Sequence, residues 1–536
     1  MLVYAGRTIW SREGNQQGDP LGASQFCNTI QPLLLSLCSE LTEGYMDDLT
    51  LGGPEDQVAI DVETIRRRGE ELGLQLNVKK CEFISSSAVS KNPVFRDFIH
   101  LSTSSAELLG APVSTGAAMD RALASRCDDL ARAAERLRLI SAHDALILLR
   151  ASFSAPKLLH TLRASPCADH PSLEKFDAIL RRCVCTIANT DLSDLQWIQA
   201  SLPVRNGGLG IRCVSSLAPS AFLASAAGTQ DLQAKILLRC RASVDSELDR
   251  VLAIWSAKYN STGIMLPVGD DAAKQRSWDL PCISADANRL MIGLPDRRQQ
   301  ARLLAVAAPH SGDWLHALPI SSCGLRLDDE AIRVAVGLRL GAKLCEPHQC
   351  PCGTNVDPEG THGLACRRSA GRSTRHHVIN DLVWRALSRA DVPAVKEPDG
   401  LLRSDGKRPD GLTLIPWQGG RCMTWDVTVT DTLAESYLAT TSTIAGAAAE
   451  GAASRKELKY QALSATHTFI PLAFETLGPI NSKGISFLGE LGRRLATRSG
   501  DKRETAFLFQ RLSIAVQRFN SIAIHGSFPP QADSDS

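Results

Sequence analysis

The sequence predicts a chain of several domains that combines α/β units with an all-helical unit. The chain has 536 residues, 44% hydrophobic and 22% charged, which is a globular composition and enough length for about three or four domains. Apolar residues recur at spacings of three and four in the middle of the chain, which is typical of helices. Strand-like runs occur closer to both ends, and a dense group of Cys and His precedes the last of them.

The net charge of +1 excludes a uniformly basic protein that coats nucleic acid. Contact with phosphates would need local clusters of basic residues, for which residues 367–368 and 372–377 are candidates. Residues 66–68 are also basic, but an ordinary solvated face explains them better. No apolar run reaches the roughly 18 residues of a membrane span, because Glu450 interrupts the Ala-rich stretch 445–453.

Asp47 and Asp48, preceded by Tyr45 and Met46, are the most informative pair near the start. Neighbouring Asp side chains repel each other in water and gain from a shared divalent cation, usually magnesium. Two such ions about 3.5–4 Å apart can hold the attacking and leaving oxygens of a nucleotidyl transfer. An isolated pair is more often a solvated turn, so its surroundings decide the interpretation.

Three further segments accompany this pair: QQGDPLG at residues 16–22, GLQLNVKKCEF at 73–83 and LLGAP at 108–112. In this order the four motifs resemble the palm of a reverse transcriptase. The resemblance implies that Asp47 and Asp48 hold magnesium and that Lys80 lies near the phosphates. It also implies that the nucleotide and the primer end are contacted by Gln17, Gly18, Asp19, Pro20, Leu109 and Gly110.

The chain departs from this family in one respect. The family's palm has another Asp on a strand well before the QQGDPLG loop, and only 15 residues precede that loop here. The acids before Asp47 are Glu13, Asp19, Glu40 and Glu43, and none lies on a run rich in Val, Ile or Phe. We therefore expect an N-terminally truncated polymerase that does not polymerise alone. A gene prediction or a 5′-truncated insertion would each explain the truncation.

The middle of the chain carries the periodicity of amphipathic helices, most clearly from Leu123 to Ile140. Residues 202–211 predict a Gly-rich loop and resemble a segment that follows the thumb in non-LTR retrotransposon proteins. Residues 261–285 predict a loop-rich linker, and Ser243 is a candidate N-cap. Further helices are expected at residues 142–152, 172–190, 243–258, 313–315 and 328–340.

Six potential metal ligands lie within 22 residues: Cys345, His348, Cys350, Cys352, His362 and Cys366. Thiolates and imidazoles are the preferred zinc ligands, and four in a tetrahedral array close a structural site. The best set is Cys350, Cys352, His362 and Cys366, although Cys345 or His348 could replace one member. The alternative is free thiols and surface histidines. The cluster resembles the Cys-Cys-His-Cys knuckle before the nuclease of site-specific non-LTR retrotransposons, which would hold nucleic acid or brace the next domain.

Two carboxylates beyond this cluster are placed to meet across a hairpin. Asp410 precedes a strand predicted at residues 412–417, and Asp426 lies in a strand predicted at 422–429, with a Gly419-Gly420 turn between them. Two carboxylates that converge on one cation suit metal-assisted phosphodiester hydrolysis. The alternative is a common Pro-Asp-Gly turn and an Asp at a strand edge.

A helix downstream carries Lys456, Lys459 and Tyr460, and a lysine near the metal could position water or stabilise developing charge. This order resembles the restriction-like endonuclease of the same elements, whose lysine lies on a helix. The resemblance implies catalytic roles for Asp410, Asp426, a lysine and Tyr460, with magnesium or manganese at the carboxylates. The sequence does not separate Lys456 from Lys459; we favour Lys459 because it adjoins Tyr460. Glu397 could be a further ligand, and a last core strand is expected at 469–475.

Six segments follow from these motifs. They are a partial reverse transcriptase palm at residues 1–115, a helical thumb and connection at 116–240, a helical linker region at 241–340, a Cys/His zinc knuckle at 341–370, a restriction-like endonuclease domain at 371–528 and a disordered tail at 529–536.

Nearly the whole chain resembles the C-terminal part of a non-LTR, LINE-like retrotransposon protein. The resemblance implies target-primed reverse transcription in the nucleus, in which a DNA target is nicked and extended along the element RNA. We expect metal-dependent nicking without autonomous polymerisation. The alternatives are a non-enzymatic relic that binds nucleic acid and a truncated copy of an active polymerase.

Overall fold

The computed structural model describes residues 2–9, 18–85, 90–237, 245–259, 265–369, 371–401 and 407–529. Within these residues the protein is a mixed α/β chain that is mostly helical and carries small sheets. None of the helices found there is long and apolar enough to cross a membrane. The tail expected at residues 529–536 lies outside the described residues except for Pro529.

The first part of the chain combines two helices with four pairs of short strands. The helices are α1 (Gly22–Leu34) and α2 (Glu55–Glu71), and the strand pairs are β1 (Leu2–Tyr4) with β2 (Arg7–Ile9), β3 (Leu41–Tyr45) with β4 (Asp48–Gly52), β5 (Glu82–Ile84) with β6 (Ile99–Leu101), and β7 (Glu107–Leu108) with β8 (Ala111–Pro112). Only β5 and β6 are parallel. This part is α/β, as predicted, but its described strands form separate pairs rather than one palm-like sheet.

A buried carboxylate ties this first part together. Asp61, on α2, accepts hydrogen bonds from the backbone N–H groups of Cys38 (2.9 Å) and Ser39 (2.6 Å), just before β3. Phe83 and Phe95 pack with their ring centroids 4.8 Å apart beneath the same helix. The β3–β4 hairpin is therefore anchored at its open end, whereas its turn is exposed.

Ten helices follow in the described residues, in a region that the sequence predicted to be mostly helical. They are α3 (Ala117–Leu137), α4 (Ala142–Leu148), α5 (Ala155–Ala164), α6 (Pro171–Ala188), α7 (Asp194–Ser201), α8 (Val214–Ile236), α9 (Ser246–Tyr259), α10 (Gln275–Gly293), α11 (Arg297–Val306) and α12 (Asp329–Leu340). The apolar stripe of α3 faces the core through Leu123, Cys127, Leu130 and Leu137. Apart from α11, these helices share one large core.

Two expectations for this region need correction. The predicted linker 261–285 is helical from Gln275 onward, although Pro281 lies inside α10. Burial of Trp278, Cys282 and Leu290 along this helix outweighs the backbone hydrogen bond that proline removes. The helix expected at 313–315 is a single 3₁₀ turn, Asp313–His316.

The start of α9 is capped by a different residue from the one predicted. The Asp245 carboxylate accepts the N–H of Leu248 at 3.0 Å, as an N-cap does. Ser243, the predicted cap, lies outside the described residues.

The Gly-rich segment 202–211 belongs to the core rather than to the surface. A Cβ atom at Gly208 would lie 2.0 Å from the Leu202 carbonyl oxygen, so the close approach of backbone there requires glycine. The buried Arg339 side chain donates to the carbonyl oxygens of Gly208 (2.9 Å) and Val204 (2.7 Å). Burial lowers the pKa of Arg339 to about 9, because no carboxylate balances its charge.

The last part of the chain contains a small hairpin and a four-stranded sheet. The hairpin is β9 (His348–Gln349) with β10 (Asn355–Val356), followed by α13 (His362–Ala365) and α14 (Gly371–Arg389). The sheet has the order β11 (Ala394–Lys396), β12 (Gly411–Thr413), β13 (Met423–Thr430) and β14 (Thr468–Glu475), in which only β13 and β14 are parallel. The remaining helices are α15 (Glu435–Thr441), α16 (Ala447–Lys459), α17 (Ser482–Ser499) and α18 (Glu504–His525).

The strand predicted at residues 412–417 is shorter than expected. It ends at Thr413, whose hydroxyl oxygen accepts the Met423 N–H at 2.8 Å while Leu414 donates to the Pro393 carbonyl oxygen. The Gly419-Gly420 turn and the strands at 422–429 and 469–475 are confirmed.

Helix α18 joins the predicted segments. Its side chains enter the helical core through Ile514, the sheet core through Phe509 and Leu512, and a third apolar cluster through Ile524. The third cluster also contains residues of α11, α12 and α13. The last helix of the predicted nuclease domain therefore packs on the linker helices and on the knuckle.

We predict that acid destabilises the helical part through His143. Its Nδ1 atom accepts the Leu327 N–H at 3.1 Å, and burial lowers its pKa from the ordinary 6.5 to about 4. The unfolded chain binds this proton first, so stability present above pH 6.5 is lost as the pH falls towards 4, by about 3 kcal/mol. The free energy of unfolding of this part is measured by hydrogen exchange of residues 142–336 in denaturant, at several pH values.

His143→Gln should flatten this pH dependence, because an amide oxygen can accept the same N–H without titrating. His160→Gln, at an exposed histidine, should behave like the wild type. Equal pH dependence in His143→Gln and the wild type would contradict the prediction.

Candidate active site and metal centre

The pairing of β12 with β13 places two carboxylates at the same position of the sheet. Gly411 pairs with Trp425 and Leu412 with Thr424, so the next step of the register sets Asp410 opposite Asp426. Side chains that face each other across an antiparallel pair lie on one face, with Cβ atoms about 4.5–5.5 Å apart. Asp410 is held there by the Val427 N–H, which donates to its Oδ2 atom at 2.6 Å.

Gly411 is required by the indole of Trp425. A Cβ atom at this position would lie 2.0 Å from the Trp425 ring, which is fully buried. Trp425 in turn donates from Nε1 to Asn380 Oδ1 at 2.7 Å, and the Asn380 amide donates to the Asp410 carbonyl oxygen at 3.4 Å. The common Pro-Asp-Gly triplet therefore has a packing role here, because it fixes the backbone on which Asp410 stands.

Two basic side chains contact the carboxylates. Lys456, on α16, forms an ion pair with Oδ1 of Asp426. His376, on α14, lies 3.0 Å from Oδ2 of Asp410, and this hydrogen bond raises the pKa of His376. Both Asp426 and Lys456 contribute to the electrostatic environment of His376, so the four side chains form one cluster.

Each carboxylate of the cluster keeps one oxygen outside these contacts. The contacts engage Oδ2 of Asp410 and Oδ1 of Asp426, and in the described residues the second oxygen of each carboxylate accepts no hydrogen bond. Carboxylate oxygens are the ligands that magnesium prefers. Asp426 is buried, so its charge is poorly solvated and its lysine partner balances it.

The other predicted site residues lie near this cluster but form their contacts with other groups. Lys459 donates to the Tyr460 hydroxyl group at 2.8 Å, and that hydroxyl group donates to the Arg408 carbonyl oxygen at 2.8 Å. Glu397 lies beyond the end of β11 and forms an ion pair with Arg408 at 2.6 Å. The structure thus brings Lys456 to the carboxylates, whereas it places Lys459, Tyr460 and Glu397 on the Arg408 side.

Two residues of the site were missed from the sequence: one member of the cluster, and one that holds the backbone of Asp410. His376 and Asn380 lie four positions apart on α14, which puts them on one face of the helix, towards β13. That spacing was present in the sequence, and it is the signal that could have identified them.

The Cys/His cluster has the ligand set that the sequence favoured. Cys350, Cys352, His362 and Cys366 place their ligand atoms within 4.8 Å of one another, and no other such group of three or more His, Cys, Asp or Glu occurs in the described residues. The Sγ atoms of Cys350 and Cys366 are 3.8 Å apart. A tetrahedral zinc site with Zn–S bonds of about 2.3 Å has an S–S edge of about 3.8 Å. The cluster could therefore hold a metal ion such as zinc.

The electrostatics of the thiols fit the same interpretation. A hydrogen bond with Thr354 lowers the pKa of Cys352 to about 6, which favours the thiolate form that binds metals. Burial raises the pKa of Cys350 to about 11, because the charged thiolate is unfavourable in a buried position. A bound cation would offset that unfavourable charge. The β9–β10 hairpin carries Cys350 and Cys352 in its loop, and α13 carries His362 and leads to Cys366.

The two alternative ligands lie outside the cluster. Cys345 donates from Sγ to the Asp357 carbonyl oxygen at 3.3 Å. His348 contacts Ser527 at 3.1 Å and stacks on Phe528 with ring centroids 4.2 Å apart. Cys345 therefore braces the knuckle internally, whereas His348 attaches it to the end of α18.

The N-terminal motif residues lie on exposed turns. Asp47 lies in the turn of the β3–β4 hairpin, Asp48 begins β4, and Met46 has a positive φ of 59°. Lys80 ends a short 3₁₀ helix and is exposed. In the described residues no third carboxylate, His or Cys joins Asp47 and Asp48 as a metal-ligand group.

The loop and hairpin motifs show local turn chemistry. Asp19 accepts the Leu21 N–H at 2.9 Å; Gly18 and Pro20 flank it and are exposed. Leu109 and Gly110 form a two-residue turn with φ values of 49° and 76°, as a type I′ hairpin requires. The hairpin expected at 108–112 is therefore present, whereas Gln17 lies outside the described residues.

We predict that Cys366→Ser abolishes zinc binding and that Cys345→Ser does not. Cys366 is one of four converging ligands, whereas Cys345 contacts only backbone oxygens in the contacts above. Zinc content of the purified protein by mass spectrometry, expected near one ion per chain for the wild type, measures this. Equal zinc loss in both variants would contradict the assigned ligand set.

We predict that Gly411→Ala destabilises the sheet by about 1–3 kcal/mol, because the new methyl group displaces the Trp425 indole. Denaturant unfolding compared with Gly489→Ala, where no heavy atom lies within 4 Å of the added carbon, isolates this steric effect. A Gly411→Ala protein as stable as the control would show that Trp425 does not hold this position.

The chain matches no protein-family model and no curated protein. Its chemistry is therefore inferred from its own residues: a carboxylate pair across two strands, the lysine and histidine in contact with it, and a four-ligand Cys/His cluster.

Proposed function

We propose that residues 371–528 form a metal-dependent endonuclease that nicks target DNA, in a protein of the non-LTR, LINE-like retrotransposon type. The observation that supports this most directly is the register of β12 and β13, which sets Asp410 opposite Asp426 with Lys456 beside them. Target-primed reverse transcription is the process that such a nick would serve. The partners are then a DNA target and the element RNA, and the place of action is the nucleus.

Asp410 and Asp426 would hold magnesium or manganese through the oxygens that their protein contacts leave available. When bound, such an ion polarises the phosphoryl oxygen and lowers the pKa of a water molecule. Lys456 brings a positive charge to the phosphate on which negative charge develops. Val427 and His376 orient the Asp410 carboxylate, and Asn380 holds the backbone behind it.

The N-terminal part is proposed to be a fragment of an RNA-directed DNA polymerase that does not polymerise alone. Asp47 and Asp48 lie at an exposed hairpin turn, and a third acidic partner is absent among the described residues. Two-metal nucleotidyl transfer needs more ligands than this pair supplies.

The Cys/His cluster is proposed to bind zinc and to brace the nuclease. A Cβ atom at Gly363, one residue after His362, would lie 2.7 Å from the Ala523 carbonyl oxygen, so α13 lies directly on α18. A structural ion that orders this turn would stabilise the helix that also supports the sheet.

A second function is favoured by one observation. Lys456 forms an ion pair with Asp426 and His376 contacts Asp410, so protein side chains engage both carboxylates. A non-enzymatic protein that binds nucleic acid through the knuckle and its basic surfaces would have the same contacts. Salt-dependent binding without metal-dependent cleavage would identify it.

We predict that the wild type nicks supercoiled plasmid or a candidate insertion site in magnesium or manganese. Asp410→Asn and Asp426→Asn should each lower the rate at least about a hundredfold, because one metal ligand becomes neutral. Asp391→Asn, an exposed carboxylate of the same domain, is the matched control. Folded wild type that nicks no substrate offered would favour the binding protein.

Two lysine variants test the assignment within the site. Lys456→Ala should lower the nicking rate more than Lys459→Ala, because Lys456 contacts Asp426 whereas Lys459 contacts the Tyr460 hydroxyl group. A larger loss of nicking rate in Lys459→Ala than in Lys456→Ala would contradict this and favour Lys459, as the sequence did.

A further inference from the structure

A basic cleft opens beside the carboxylate pair. Its volume is about 460 Å³, and it lies between the first turns of α14, the second half of β13 and the outer face of α16. Five basic side chains and one carboxylate line it: Arg372, Arg375, Arg455, Lys456, Lys459 and Asp431. In a chain with a net charge of +1, this is a local concentration of positive charge.

Arg375 is a buried guanidinium group of the cleft; Asp431 acts on it electrostatically, but no hydrogen bond joins the two in the described residues. The Arg375 side chain is 3% exposed, and Nη1 donates to Asn520 Oδ1 at 3.1 Å. Its Nε atom is buried and has no hydrogen-bond partner among the described residues; the same holds for Oγ1 of Thr430, which also lines the cleft. A buried N–H without an acceptor is unfavourable, and a phosphate oxygen in the cleft is the kind of acceptor that would satisfy it.

The one carboxylate of the cleft does not supply that anion well. Burial raises the pKa of Asp431, which disfavours its charged form. Its Oδ1 atom already accepts from the Thr476 hydroxyl group at 2.9 Å. Arg372 and Arg455 are exposed at the rim, where they could contact a ligand without rearrangement of the core.

The cleft is continuous with the carboxylate pair. Thr428 and Thr430 lie two and four residues after Asp426, so the three side chains share one face of β13. Lys456 lines the cleft and contacts Asp426. A strand whose phosphodiester lies at Asp410 and Asp426 would therefore extend into this cleft.

We propose that this cleft binds a backbone phosphate of the nucleic-acid strand, next to the phosphodiester at the carboxylate pair, through Arg372, Arg375 and Arg455. The proposal rests on the nuclease function, because the carboxylate pair defines the start of the strand's path. Guanidinium groups suit this role, since they donate two hydrogen bonds to a phosphate in a fixed geometry.

The test compares two double variants of the full-length, zinc-loaded protein. The cleft variant is Arg372→Ala with Arg455→Ala. The control is Arg385→Ala with Arg493→Ala, which removes two exposed arginines, one of them also on α14, from other faces of the domain. Dissociation constants for labelled duplex DNA are measured in calcium, without magnesium or manganese, between about 50 and 200 mM salt. Thermal unfolding checks that both variants are folded.

We expect the cleft variant to bind at least about tenfold more weakly and the slope of log Kd against log salt to fall by about two, with the control unchanged. Cleft and control variants that bind equally well, with equal slopes, would overturn the proposal.

Nicking of the same DNA in magnesium, run in parallel, separates the two proposals. If the wild type nicks and the cleft variant binds and nicks normally, the cleft proposal fails and the nuclease stands. If the wild type does not nick but the cleft variant still loses binding, the nuclease fails and the cleft is supported as a nucleic-acid surface.

Discussion

The antiparallel pairing of Gly411 with Trp425 is the contact on which the candidate active site depends. A shift of one residue would turn Asp410 or Asp426 to the opposite face of the sheet and separate the carboxylates. The register is fixed by shape, since the indole occupies the space that any larger residue at position 411 would need. It is also fixed by hydrogen bonding, since Asn380 joins that indole to the backbone of Asp410.

Helix α18 connects this sheet with the rest of the molecule. It contributes to the helical core, to the sheet core and to the cluster beneath the knuckle. The Cys/His cluster contacts it through α13, and His348 reaches Ser527 just beyond its end. Metal binding at the cluster and the stability of the sheet are therefore coupled through one helix, although the sequence divides them into separate segments.

Part of the site could be predicted from sequence because it depends on local pattern. Alternating apolar residues around Asp426 and the glycine turn before them determine a hairpin, and the spacing of Cys350 to Cys366 determines a loop that can close on one ion. The choice of Lys456 over Lys459 at Asp426 depends instead on the rotation of α16 against β13, which neighbouring residues do not encode. The linker prediction also missed the start of α10, where burial of Trp278 and Leu290 outweighs the local preference around Pro281.

The buried arginines of this protein differ in whether protein atoms satisfy all of their N–H groups. Arg339 and Arg302 are both buried and neither forms an ion pair in the described residues, and burial lowers their pKa values to about 9 and about 10. Their N–H groups donate to carbonyl oxygens of the Gly-rich segment and to Gln199, so protein atoms satisfy them. Arg375 has the same lowered pKa of about 10, but one of its N–H groups lacks an acceptor in the described residues and its side chain lines a basic cleft. Arg375 therefore differs from Arg339 and Arg302 in having an unsatisfied N–H group beside a basic cleft, and this difference is what supports the proposed role in binding an anion.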